Sequence, residues 1–365
     1  MLKLMKGIGV KALIILSLVQ LSTPALASAS PEQSSDFLSG AVLRAVGVDP
    51  TDPKTVYAGT SVGVFKSIDG GKSWRNTWDA ASNGLINIMG LSFAIPPSAP
   101  QTIYVGTNGS GIFKSTNGGD SWSKVNQGLT NTYIRALVAD PETAQTLYAG
   151  TNGQGIFKST DGGGTWSPVN SGLPGSSIIV TSLVIDPSAP QIVYAATGTN
   201  GSGIFKTTDG GNSWNGVNTG LSTTTITTGI QCLAIAPSTP QTIYAGTWGG
   251  GVFKTGNGAG DWTEANTGLP AAYVATIAID PADPQVVYTA TTDAGIFKSE
   301  DGGMTWFSTN DGIPTTYTVT IAIDPVKRRI LFAGTDHDGI YKSTKSGRYW
   351  VPANGVDKKE EVDSD

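Results

Sequence analysis

The chain has a single cysteine, Cys232, and a single histidine, His337, among 365 residues. One thiol excludes an internal disulfide, a CxxCH haem site and a cysteine-rich zinc site, so packing must hold the fold. One imidazole leaves little for histidine-based metal or acid–base chemistry. Charge is also sparse: Asp, Glu, Lys and Arg make up 14 % of residues, with a formal net charge of −5. A nucleic-acid binder needs a basic face that displaces counterions, and an acidic chain argues against one. Beyond residue 30 no apolar run is long enough to cross a bilayer, and no window holds a sustained helical period. Glycine is abundant instead, at 48 residues, with 20 prolines and 9 tryptophans. That balance implies many short strands joined by turns.

The first 27 residues read as an export signal. Lys3, Lys6 and Lys11 precede the apolar stretch Ala12–Leu21, and Pro24-Ala25-Leu26-Ala27 supplies small residues for cleavage. Processing is expected after Ala27, with Ala29 as the alternative, giving a periplasmic or secreted protein. No cysteine follows the apolar stretch to carry a lipid. Removing residues 1–27 takes three lysines and no acid, leaving 20 basic residues against 28 acidic ones. Residues 28–40 read as a linker, and 355–365 as an acidic, disordered tail.

A repeat organises everything between. Trp74, Trp122, Trp166, Trp214, Trp262, Trp306 and Trp350 follow one another at intervals of 48, 44, 48, 48, 44 and 44 residues. Each unit has four parts: an apolar stretch ending near Asp-Pro, as in Ala136–Asp140; a "TVYAGT"-like stretch; a "GIFKS"-like stretch; and a segment running from the Trp into "VNQGL". These pieces are β-branched, aromatic and bounded by Gly, Asn, Asp and Pro. Four short strands repeated seven times predict an all-β fold, a single seven-bladed β-propeller over residues 41–354. The first strands agree. One face carries small residues (Ala45, Ser92, Ala136, Ser182, Cys232, Thr276, Thr320), as crowding around an axis requires, so Cys232 reads as a small buried hydrophobe.

The third and fourth parts meet in a short signature: Ser67-Ile-Asp69-Gly-Gly-Lys-Ser-Trp74, then Ser159–Trp166, Thr207–Trp214 and Ser299–Trp306. Asn117 and Asn257 replace the Asp in two copies, and Lys345 does so in the seventh. The residue types suit a turn. An Asp or Asn side chain accepts backbone N–H groups ahead of it, glycines take positive φ, and the Trp packs between sheets. The signature resembles the Asp-box, or bacterial neuraminidase repeat. That resemblance implies a structural role for Asp69, Asn117, Asp161, Asp209, Asn257 and Asp301, at the blade periphery and away from any active site.

By propeller geometry the signature turns share one face with the Asp-Pro loops. The loops between blades and those joining second to third strands lie on the other face, where the repeats diverge most. Candidate ligand-binding residues there are Arg44, Tyr133, Arg135, Trp248, Tyr273, Tyr317 and His337, an aromatic and polar set suited to a peptide or a sugar. Each Tyr could equally cap a blade edge. Asp336-x-Asp338-Gly339 and Asp49-Pro-Thr-Asp52 lack the ligand spacing of a calcium loop and read as turns. No catalytic residue, metal or cofactor is expected.

The repeats resemble those of the photosystem II assembly-factor and sortilin families, which implies a non-catalytic, monomeric scaffold binding a protein or protein complex. They are also similar to xyloglucanases and sialidases, which implies a lectin or glycoside hydrolase as the alternative. A sialidase would need three convergent arginines, and the six in this chain stand at 44, 75, 135, 328, 329 and 348. A xyloglucanase would need a second propeller and paired carboxylates across a cleft.

Overall fold

The computed structural model describes residues 38, 40–77, 89–175, 177–198, 203–270 and 273–354. The expected export signal, most of the expected linker and the acidic tail lie outside the described residues. The chain forms seven four-stranded antiparallel sheets, each built from consecutive strands: a seven-bladed β-propeller. First strands are Leu43–Val48, Gly90–Ala94, Ile134–Ala139, Val180–Ile185, Ile230–Ile235, Val274–Asp280 and Thr318–Ile323.

Second strands such as Leu147–Thr151 are buried at every residue, because both faces pack against neighbouring blades. Such a strand reads as a continuous apolar run rather than an alternating one. Its glycine has a steric cause. A Cβ on Gly150 would stand 2.6 Å from Val180 Cγ1, on the first strand of the next blade. Ala196 and Ala290, both fully buried, hold that place in blades 4 and 6. One element was not foreseen, a short helix at Thr223–Thr228. Its six Thr and Ile residues carry no apolar period, and it forms because Ser222 Oγ accepts the Thr225 amide as an N-cap (3.0 Å).

The signature turns bind each blade internally and latch it to the preceding one. In blade 3, Ser159 Oγ donates to Asp161 Oδ1 (2.8 Å) and accepts the Gly163 amide (2.9 Å). The Asp161 carboxylate also takes the Thr165 amide (2.8 Å) and hydroxyl (2.7 Å). Those Thr165 bonds, then the Ser159 hydroxyl, push its pKa down to about 2. Asn117 preserves the turn, its Oδ1 accepting the Ser115 hydroxyl and the Ser121 amide.

Across the seam, Trp166 Nε1 donates to Val125 O of blade 2 (2.9 Å), and its backbone N–H to Gln127 O (2.8 Å). Blade 2 reciprocates: Tyr104 Oη and Lys114 Nζ both donate to Gly162 O, at 3.1 and 3.0 Å. Burying each signature Trp but the half-buried Trp74 removes roughly 200 Å² from water, about 5 kcal/mol of gross stabilisation.

The ring closes between blades 7 and 1 by the same contacts. Trp74 Nε1 donates to Ala353 O (2.6 Å) and Lys342 Nζ to Gly70 O (2.7 Å). Leu38, within the span expected as linker, is buried in this seam beside Leu43, Phe65, Phe332 and Ala353. The closing interface nonetheless departs from the other seams at two positions. Trp74 is only half-buried, and Phe332 stands where six blades carry a tyrosine hydroxyl.

Candidate functional site

Two sets of loops define two faces. On the lower face every signature turn is hydrogen-bonded to the loop between the first and second strands, as in Gly162 N to Gln145 O (2.9 Å) and Ser346 N to Arg329 O (2.9 Å). On the upper face the ends of second strands meet the connections between blades, and all seven candidate residues lie there.

At the seam of blades 5 and 6, Trp248 and Tyr273 form an isolated antiparallel bridge. Their ring centroids lie 5.0 Å apart at 58°. Both are large and open, 48 % and 40 % exposed. The local cause is the Gly249-Gly250-Gly251 turn, whose glycines at 249 and 251 take φ of 94° and 72° and shield nothing. Tyr133 repeats the arrangement at the seam of blades 2 and 3. It bridges Asn108, and its ring lies over Gly109 as Tyr273 lies over Gly249. Tyr317 is exposed before the first strand of blade 7, and its carbonyl accepts the Asp336 amide (3.2 Å). The three tyrosines, Tyr133, Tyr273 and Tyr317, remain 49, 40 and 43 % exposed.

Arg44 and Arg135 occupy the same register, the second residue of a first strand. Leu91, Thr181, Gln231, Ala275 and Val319 fill it in the other blades. Both arginines are exposed at the rim, while the residues beside them in the strand are buried. Arg44 pairs with Asp336 across the closing seam at 3.6 Å. Arg135 donates Nε to Asn152 Oδ1 (2.9 Å) and has no carboxylate partner among the described residues. Its remaining N–H groups are therefore available to an anion. His337 is 71 % exposed in its side chain, with Nδ1 3.7 Å from Asp336 Oδ2.

The structure thus groups the candidates in three places on one face: Trp248 with Tyr273, Tyr133 with Arg135, and Tyr317 with Arg44 and His337 around Asp336. They stand at three separate seams, and neither described depression is lined by them. Asn108 and Asn152, which tie two of these groups together, were missed by sequence reasoning, whereas Asp336 stood out beside His337. Their positions repeat at the end of each second strand, which was the available signal. The described depressions of about 510 and 260 Å³ lie on the lower face instead.

The residues set aside as structural behave so. Asp49 Oδ1 accepts the Thr51 and Asp52 amides, closing a turn. Cys232 is buried, and burial pushes its thiol up to about 12. No group of three or more metal-ligating side chains exists among the described residues, nor does a described helix long and apolar enough to cross a membrane.

Part of the chain, residues 110–231, matches the family described as sortilin, neurotensin receptor 3. No curated protein matches in sequence. Among solved structures, the GH74 enzyme of Niastella koreensis is similar with a TM-score of 0.72 and 19 % identity, over 87 % of this chain and 54 % of that one. The GH74 xyloglucanase of Xanthomonas campestris gives 0.72 and 18 %, over 88 % and 55 %. The chain therefore spans about half the length of these enzymes. YCF48 bound to D1 peptide gives 0.63 and 17 %, over 84 % and 93 %. These likenesses define the class, a seven-bladed propeller.

Proposed function

We propose that this is an exported Asp-box propeller that binds a segment of a partner protein on its upper face, as a scaffold rather than an enzyme. The observation that carries the reading is the exposed set at the seams: Trp248 and Tyr273 in edge contact, Tyr133 and Tyr317 in related places, and Arg135 without a carboxylate. Aromatic and arginine side chains are the usual anchors of interfaces. The likeness to YCF48, solved with a D1 peptide over most of both chains, supports a peptide as the kind of ligand. The Trp248–Tyr273 pair also favours one second reading, a sugar stacked on an aromatic face, which the likeness to GH74 enzymes supports.

The test is a pull-down from the native envelope fraction read by mass spectrometry, together with a glycan array. Both use wild type and the Trp248→Ala/Arg135→Ala double variant. A protein retained by wild type and lost by the variant supports the scaffold. Glycan binding lost by the variant replaces it with the lectin reading. Export is tested by N-terminal sequencing of the mature protein, which should begin at Ser28 or Ser30.

A further inference from the structure

The lower face of six blades is repetitive, but that of blade 7 is not. Blades 2 to 6 place neutral or acidic residues in the loop between first and second strands and blade 1 a single Lys54, but blade 7 has Val326-Lys327-Arg328-Arg329. Where the other signature turns hold Asp or Asn, it has Lys345, followed by Arg348 and Tyr349. The Ser346 amide to Arg329 carbonyl bond (2.9 Å) brings the two segments together. Three of the six arginines of an acidic chain converge there.

A cleft lies beside these substitutions. In blades 2 to 5 and blade 7 the third-strand lysine donates to the glycine carbonyl of the next turn, as Lys254 does to Gly302 O (2.7 Å). Lys298 turns instead to Glu300 (2.6 Å). A depression of about 510 Å³ remains, lined by Asp280, Tyr288, Lys298, Lys327, Arg328 and Arg329, with Val326 at its lip.

Two of the acids around it are paired with cations. Asp280 takes Arg328 (3.1 Å) and Glu300 takes Lys298. Asp324 points inward, is buried, and accepts the Val326 and Lys327 amides. Lys327, Arg329, Lys345 and Arg348 are exposed and form no ion pair among the described residues. Val326 and Tyr349 stand open beside them, 61 % and 55 % exposed.

We infer that this cleft between blades 6 and 7 is a second binding surface, for an acidic protein segment that carries aliphatic side chains among its carboxylates. Arginine forks pair with carboxylates in bidentate geometry, and Val326 and Tyr349 give apolar contact that a purely anionic glycan or phosphate would not use. The surface lies on the face opposite Trp248 and stands independently of the upper-face reading.

The test measures binding of the full chain to a fluorescein-labelled peptide alternating Glu with Leu, by fluorescence anisotropy. A Lys/Leu peptide, a heparin oligosaccharide and anionic vesicles run in parallel. The Glu/Leu peptide should bind, and binding should fall steeply toward about 1 M salt, where charges are screened within about 3 Å. Arg329→Gln should weaken it roughly ten- to thirty-fold, on the scale of an interface anchor. Lys345→Asp, which restores a signature-turn carboxylate and should fold well, should weaken it similarly. Lys124→Gln, on the outer strand of blade 2, should leave it unchanged. No peptide binding at millimolar concentration, equal loss in Lys124→Gln, or binding of heparin or vesicles without the peptide would each overturn the proposal.

Discussion

The closing seam offers the sharpest test of how the ring is held. In blades 1 to 6 a buried second-strand tyrosine donates its hydroxyl to a carbonyl in the next signature turn, as in Tyr148 to Gly210 O (3.0 Å) and Tyr244 to Gly302 O (2.8 Å). Burial pushes the Tyr148 phenol up to about 12, so it stays a donor at any working pH. Blade 7 has Phe332, fully buried, with its ring against Gly71, and the Gly70 carbonyl takes only Lys342 Nζ. Phe332→Tyr should therefore add one buried hydrogen bond, about 0.5–1.5 kcal/mol. Tyr148→Phe should lose a similar amount, because Lys158 Nζ still satisfies Gly210 O (2.8 Å). At about 2.1 cal/mol/K per residue over roughly 300 residues, either change moves Tm by about 1–2 °C, in opposite directions. Urea titration is the better assay, since the midpoint should shift with the slope unchanged. A destabilised Phe332→Tyr, or a Tyr148→Phe without cost, would refute the view that these hydroxyls join the blades.

Three further outcomes follow from the same geometry. Asp161, Asp209 and Asp301 have pKa values lowered to about 2 by hydrogen bonds, so their stabilisation is full above about pH 4 and lost as pH falls through 2. Melting temperature should drop across that window, and less so in an Asp161→Asn/Asp301→Asn variant. Gly150→Ala should destabilise by about 1–3 kcal/mol in chemical denaturation, because its Cβ would overlap Val180, whereas Ala196→Gly in blade 4 should cost about 1 kcal/mol or less. Lys345→Asp with Tyr349→Thr should rebuild the seventh signature turn and raise stability by about 0.5–1 kcal/mol in calorimetry, at the expense of acidic-peptide binding.

Much of this was legible in the sequence because the protein is a repeat. Tryptophans at intervals of 44 or 48 residues, each closing a four-part unit, determined blade number, strand order and the role of the signature turns. Local chemistry sufficed, since Asp161 bonds residues within four positions of itself. Assigning loops to two faces needed only the alternation of strand direction. Tertiary structure decided what depends on distant partners. Lys342 reaches Gly70 across 272 positions and Trp74 reaches Ala353 across 279, so the closing seam exists only in the ring. Arg44 meets Asp336, and Arg135 stands open, because each sits at a register shift at the start of its first strand. The basic cleft was passed over for a related reason. Lys327, Arg328 and Arg329 look like an ordinary charged loop until Lys345, Arg348 and Tyr349 are folded beside them and Asp280, 48 positions away, is drawn onto Arg328. Repetition is a local property that composition and spacing display. A departure from it becomes a surface only when folding brings separate departures together.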